Sequence, residues 1–138
     1  MATYTKFNQF VEDVAEKVHN LGADALTVAL TNSAPVATNT VLANITEISY
    51  ANLSTRVLTI SSSVQTSGTY KLVIADLVLT ASGGSVGPFQ YIVIYNDTPT
   101  SPADPLIAYF DYASALTLQD GDSLTLDFSA ANGLLQIV

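Results

Sequence analysis

The chain contains no cysteine and no tryptophan, and only four of its 138 residues are lysine or arginine. Without cysteine there are no disulfide bonds, no thiolate metal ligands and no thiol nucleophile. Twelve acidic residues against four basic ones give a formal net charge of −8, so the field around the protein repels phosphate backbones and anionic lipid surfaces. The composition therefore predicts no nucleic-acid partner and no membrane partner.

Charged residues of both signs are scarce, at 12% of the chain against about 25% in typical soluble domains. Hydrophobic residues reach 49%, which excludes a disordered chain. The longest apolar runs, Leu72–Leu79 and Tyr91–Tyr95, are shorter than the roughly 20 residues of a membrane-spanning helix. The length predicts a single domain, residues 1–138. Because a small domain has much surface relative to its interior, we expect part of its apolar surface to be buried against other chains.

A stretch near the N-terminus has the period of an amphipathic helix. Apolar residues recur there at steps of three and four with polar residues between them, which predicts a helix over about residues 4–21. Thr3 or Thr5 is the expected cap at its start, and Gly22 has the position of a left-handed terminating residue. Acidic residues interrupt the apolar segment that an export signal needs, so we expect synthesis and folding in a cytoplasm.

From about residue 24 onward the sequence is typical of β-strands, because Val, Ile, Leu, Thr and Tyr runs are separated by Gly, Pro, Asn and Asp. It predicts a mainly β fold: an antiparallel β-sandwich or Greek-key barrel with one N-terminal amphipathic helix packed on it. Turns are expected at pairs such as Gly83-Gly84 and Gly87-Pro88. The predicted strands are Ala25–Thr31, Arg56–Ser62, Thr69–Thr80, Phe89–Asn96, Leu106–Tyr112, Ser123–Phe128 and Leu134–Val138.

Two segments are candidate contacts with other chains. Tyr91–Tyr95 is apolar on both faces, so it is either a central strand covered on both sides or a strand that meets another subunit. The apolar segment Leu134–Val138 is interpreted first as a core strand and second as an arm that adds to a neighbour's sheet. The candidate assembly residues are Tyr91, Val93, Tyr95, Leu134, Leu135, Ile137 and Val138.

The sequence has few groups that suggest catalysis. His19 is the only histidine, it is not accompanied by a nucleophile motif, and a structural role at the end of the helix is the preferred interpretation. Asp120-Gly121-Asp122 is typical of a hairpin turn and lacks the spacing of a calcium loop. We therefore predict no catalytic residue, no metal site and no cofactor, and a protein that is not an enzyme.

Four tyrosines, Tyr91, Tyr95, Tyr109 and Tyr112, raise the alternative of a sugar-binding face. Tyrosine is also common in strand cores and at protein interfaces, and the chain has no tryptophan, so core or interface is the preferred interpretation.

Several segments share a pattern with a known family. They are Tyr4–Gly22, Leu26–Pro35, Gly68–Val73, Gly87–Tyr91, Tyr95–Asp97 and Asp127–Phe128. They are distributed over most of the chain, from residue 4 to residue 128, and resemble a family of small virion-associated proteins of tailed bacteriophages; the first segment is the most specific. The stretch between Tyr50 and Val57 departs from the longer, glycine-containing stretch of that family.

The resemblance implies a non-enzymatic structural protein of the virion, foremost a capsid decoration or cement protein. Such a protein forms a homo-oligomer, commonly a homotrimer, on the capsid exterior and bridges subunits of the major capsid protein. A tail-tube, connector or baseplate component is the first alternative, and a carbohydrate-binding adsorption module is the second.

Overall fold

Among residues 2–138, which the computed structural model describes, the chain forms nine β-strands, one α-helix and a short 3-10 turn at Leu42–Asn44, and 47% of it is strand. This confirms the predicted mainly β, antiparallel fold with a helix near the N-terminus. No helix within these residues is long and apolar enough to cross a membrane. The elements are β1 (Thr3–Lys6), α1 (Gln9–Ala15), β2 (Leu26–Thr31), β3 (Ile60–Thr66), β4 (Thr69–Ile74), β5 (Leu77–Thr80), β6 (Val86–Asn96), β7 (Leu106–Leu118), β8 (Ser123–Leu126) and β9 (Leu135–Ile137).

The strands form three antiparallel sheets in a sandwich-like arrangement. The first sheet has the order β1-β7-β6-β2, the second β3-β4-β9, and the third is the pair β5-β8. The main core lies between the first sheet and the other two, because strands of all three contribute to one buried cluster. Its members include Val28, Leu72, Leu79, Ile92 and Leu126.

A second, smaller core covers the outer face of the first sheet. Phe7, Val93, Tyr95 and Leu106 are buried there beneath the long connection of residues 32–59, which contributes further apolar side chains. The strand Tyr91–Tyr95 is therefore apolar on both faces because its own chain covers it on both sides, which is the first of the two interpretations of its sequence.

The predicted helix over residues 4–21 is wrong at its start. The first residues of that stretch form β1 and pair with β7. Asn8, instead of Thr3 or Thr5, precedes the helix. The pairing with β7 and the complete burial of Phe7 outweigh the local helical preference of this stretch, as tertiary contacts often do.

The predicted helix is also wrong at its end. It stops at Ala15, and Lys17 has the left-handed backbone, with φ 69°, that we expected at Gly22. The chain then turns so that His19 and Leu21 are buried. Burial of these two side chains against the strands therefore ends the helix early.

Two strand predictions and one turn prediction also need correction. The segment Thr69–Thr80 breaks at Ala75-Asp76 and its two halves join different sheets; the Asp76 carboxylate accepts the N–H of Phe128 at 2.9 Å at this crossing. Gly87-Pro88 is a bulge inside β6 and not a turn. The first part of the predicted strand Arg56–Ser62 runs along the edge of β2, so β3 begins only at its end.

Candidate assembly surface

The structure divides the predicted assembly residues into two groups. Val93, Tyr95, Leu134 and Leu135 are buried in the cores of their own chain, so their side chains do not form surface contacts, which corrects the prediction for these four. Tyr91 is half-buried, whereas Ile137 is 44% and Val138 99% exposed. These three side chains remain the accessible candidates.

The edge strand β9 ends at Ile137, and Val138 follows directly. It pairs on one side with β4, where Ile137 lies opposite Tyr70 and Leu135 opposite Leu72, and its other side makes no backbone hydrogen bond in residues 2–138. Gly133, with φ +72°, makes the turn that brings the chain back, and the Leu134 N–H donates to the Leu72 carbonyl at 2.7 Å. The preceding turn thus positions the free edge.

An apolar groove lies between α1 and this free edge. Its volume is 440 Å³, and its only charged lining residue is Lys6. Val11, on the groove side of α1, is 54% exposed, although a valine on a short surface helix normally turns toward the core. We call this depression the β9 groove; its lining residues are Lys6, Phe10, Val11, Val14, Ala15 and residues 135–138.

Two further depressions adjoin β9. A cleft of 780 Å³ reaches Ile137 and contains Lys17 and Asp24, and a depression of 310 Å³ reaches Gln136 and contains Lys71. With Lys6 in the β9 groove, three of the four basic residues of the chain therefore surround this one strand. No carboxylate lies within 4.0 Å of these lysines in residues 2–138. We call β9, its groove and the three lysines the β9 surface.

The fourth basic residue, Arg56, has a different environment. Its guanidinium donates to the Val28 carbonyl, lies 3.8 Å from the centre of the Tyr50 ring and is 4.0 Å from the Glu47 carboxylate. Burial, followed by the hydrogen bond to Glu47, raises the pKa of Tyr50. The group fastens the 32–59 connection to β2, and sequence reasoning missed it because its members meet only in the folded chain.

His19 belongs to a buried polar group beside the 780 Å³ cleft. Its Nδ1 is 3.0 Å from Asn96 Nδ2, which also donates to Asp24 Oδ2 at 2.6 Å. The Asn96 amide has this orientation because its oxygen accepts the Thr98 N–H at 3.1 Å. An amide nitrogen only donates, so Nδ1 accepts and the ring proton lies on Nε2.

The second ring nitrogen of His19 has no hydrogen-bond partner among residues 2–138. Nε2 is 4.0 Å from the Asp13 carboxylate, and both atoms are buried without a hydrogen bond. Loss of solvent lowers the pKa of His19, and the carboxylates of Asp13 and Asp24 oppose that shift. The ring holds the segment after α1 against the end of β6. The predicted position in the last turn of the helix is wrong, because α1 ends at Ala15 and His19 lies in the turn that follows it.

The other sequence candidates have local roles. Asp120 accepts the Gly83 N–H at 2.9 Å and Asp122 accepts the Gln119 N–H at 2.9 Å, so both carboxylates stabilise the turn. No three acidic or histidine side chains in residues 2–138 are placed to share a metal ion.

The four tyrosines do not form a common platform. Tyr95 is buried, and Tyr91 and Tyr109 pack edge to face with centroids 6.4 Å apart on the outer side of the first sheet. Tyr112 packs against the main core on the opposite side. The rings are therefore divided between two faces.

Comparisons with family models, curated proteins and solved structures give no match to this chain.

Proposed function

We propose that the protein is a non-enzymatic structural protein of a tailed-phage virion, and specifically a capsid decoration or cement protein that self-associates as a homotrimer and bridges subunits of the major capsid protein. The observation that carries the proposal is the β9 surface, which combines an unpaired strand edge, an exposed apolar groove and most of the positive charge of an acidic chain. The sequence resemblance to virion-associated proteins supports it independently.

An unpaired edge with apolar neighbours is a hazard for a protein that stays alone. Proteins usually protect such edges with charged residues in the edge strand itself, with bulges or with covering loops, because exposed edges pair readily with other chains; β9 contains no charged residue. In β9 the edge residues are Gln136 and Ile137, and Val138 follows with its side chain almost fully exposed. The small fraction of charged residues, 12% of the chain, leaves little other protection against association. Contact with neighbouring subunits removes this hazard.

The mechanism of such a protein is thermodynamic. A protein that binds only the expanded shell stabilises that state by RT ln(1 + [L]/Kd), about 2.7 kcal/mol per site at a free concentration of 100 Kd. A trimer that contacts several capsid subunits adds the effect of multivalency. The net charge of −8 suits the outside of a shell, away from packaged DNA.

Two measurements test the proposal. Sedimentation velocity at micromolar concentration should give a species of about 43 kDa, three times the 14.5 kDa chain, and a 14.5 kDa species alone would contradict the homotrimer. Gold-labelled antibody on intact particles should decorate the head. Label on the tail would favour the tail-tube, connector or baseplate alternative. If the particles carry no label and contain no copy of the protein, both the head position and the tail position are refuted.

A further inference from the structure

We propose that the partner of the β9 edge is the β8 edge of a second copy, so that the copies associate head to tail and close into a ring of three. The inference deepens the proposed function: it rests on the homo-oligomer but not on the position in the virion. The β8 and β9 edges are different surfaces of the same chain: both have free backbone groups, both adjoin apolar side chains, and the charges around them are opposite.

The β8 strand has a free edge of its own. It pairs with β5 on one side, where Thr125 lies opposite Val78, and its other side makes no backbone hydrogen bond in residues 2–138. Along this side lies a cleft of 600 Å³ with Phe110, Tyr112 and Phe128 in its walls and Asp127 as its only charged lining residue. Both edges are thus flanked by apolar depressions, with the exposed Val138 beside one of them.

The charges around the two edges are opposite. Beyond Lys71 the sequence contains no lysine, arginine or histidine, and β8 lies between Asp122 and Asp127, both exposed. The three depressions around β9 contain three lysines, Lys6, Lys17 and Lys71, and one side-chain carboxylate, Asp24. Opposite charges across an interface steer association and suppress pairings that bring like charges together.

The other edge strands fit less well. β2 and β5 are already covered by the chain around Val57 and Ser54. β3 contains no charged residue and β1 contains only Lys6. A symmetric β9–β9 contact would bring the lysines of two copies together, and a β8–β8 contact would bring their aspartates together. Among the edge strands of residues 2–138, β8 is therefore the one whose charges complement β9.

An interface between two different surfaces propagates head to tail, and it closes into a ring when the rotation between copies allows it. Here the three-stranded sheet of one copy would continue into the two-stranded sheet of the next, in the order β3-β4-β9-β8-β5. Ring closure uses every β8 and every β9 edge, which removes the exposed edges of both strands.

The absence of cysteine gives a clean test, because each introduced thiol is unique. Gln136→Cys on β9 and Thr125→Cys on β8, both exposed positions, are prepared as separate proteins, mixed and treated with a short thiol-to-thiol cross-linker. The mixture should give a covalent dimer containing one copy of each, and each variant alone should stay monomeric on a denaturing gel.

The double variant should give a ladder that stops at three copies. Val64→Cys, on the β3 edge and 55% exposed, is the matched control and should not cross-link with either.

The failures are distinguishable. If sedimentation shows an oligomer but the mixture gives no mixed dimer, or if Gln136→Cys cross-links to itself, the proposed surfaces are wrong and the homo-oligomer stands. If the protein sediments only as a monomer, the homo-oligomer fails and the β8–β9 contact fails with it. A ladder that continues beyond three copies would refute the closed ring.

Discussion

Replacement of Phe7 by alanine tests whether the outer face of the first sheet is a core of its own chain. The Phe7 side chain is 0% exposed and lies in the smaller core with Val93, Tyr95 and Leu106, and its ring centre is 5.2 Å from that of Tyr109. Truncation of a buried phenylalanine costs about 3–5 kcal/mol, the sum of lost transfer free energy and the cavity left behind. That is a large part of the roughly 5–15 kcal/mol that stabilises a typical domain.

The assay is urea unfolding of Phe7→Ala, followed by circular dichroism, with thermal unfolding in parallel. For a chain of this size about 4 kcal/mol corresponds to a fall in Tm of about 10–15 °C and to a fall in the urea midpoint of about 2–3 M. Val36→Ala, at a position 54% exposed and outside both proposed contact surfaces, is the control and should change the free energy of unfolding by less than about 0.5 kcal/mol. A loss below about 1 kcal/mol for Phe7→Ala would refute the view that the chain covers this face itself.

Three further variants probe the polar groups and the turn before β9. Burial lowers the pKa of His19 in the folded state, so the unfolded chain takes up the imidazole proton first as the pH falls below about 6.5, and the free energy of unfolding decreases in that range. His19→Gln should therefore flatten the dependence of the urea midpoint on pH between pH 7 and pH 5. An unchanged slope would contradict the burial of a neutral His19. Arg56→Lys loses the planar stacking on Tyr50 and the geometry of the guanidinium, and should cost about 1–2 kcal/mol in the same assay, whereas wild-type stability would show that the group contributes nothing. Gly133→Ala combines a φ of +72° with a Cβ 2.5 Å from the Leu72 carbonyl oxygen, and should destabilise by more than about 2 kcal/mol. Gly121→Ala, with φ +89° and nothing within 4 Å, isolates the strain alone, so equal losses for the two glycines would refute the close approach.

The sequence predicts best where an apolar run is bounded by turn residues. β2 and β6 lie within a few residues of their predicted bounds, because both are buried runs flanked by polar turns. The stretch over residues 4–21 has a helical period, yet its first part is a strand, because Phe7 and β1 gain contacts with β7 that a local period does not reveal. The break at Asp76 depends on a hydrogen bond to Phe128, a residue distant in sequence.

The candidate site, like the fold, could be predicted only where its residues are close together in the sequence. The sequence indicates a core strand at Leu134–Val138 first and an arm for a neighbouring chain second; in the structure its first two residues are buried, and Ile137 and Val138 are exposed. It does not predict that Lys6, Lys17 and Lys71 lie around that segment, because they lie on separate parts of the chain and only Lys71 reaches β9 through strand pairing. The scarcity of basic residues was the one signal that could have directed attention to them.

A reconstruction of intact virions by electron cryomicroscopy tests the central claim most directly. The account predicts density for this chain on the outer surface of the head where major capsid subunits meet, with the β8 and β9 edges occluded by neighbouring copies. Density for the chain with both edges open to solvent, or located in the tail, would contradict it.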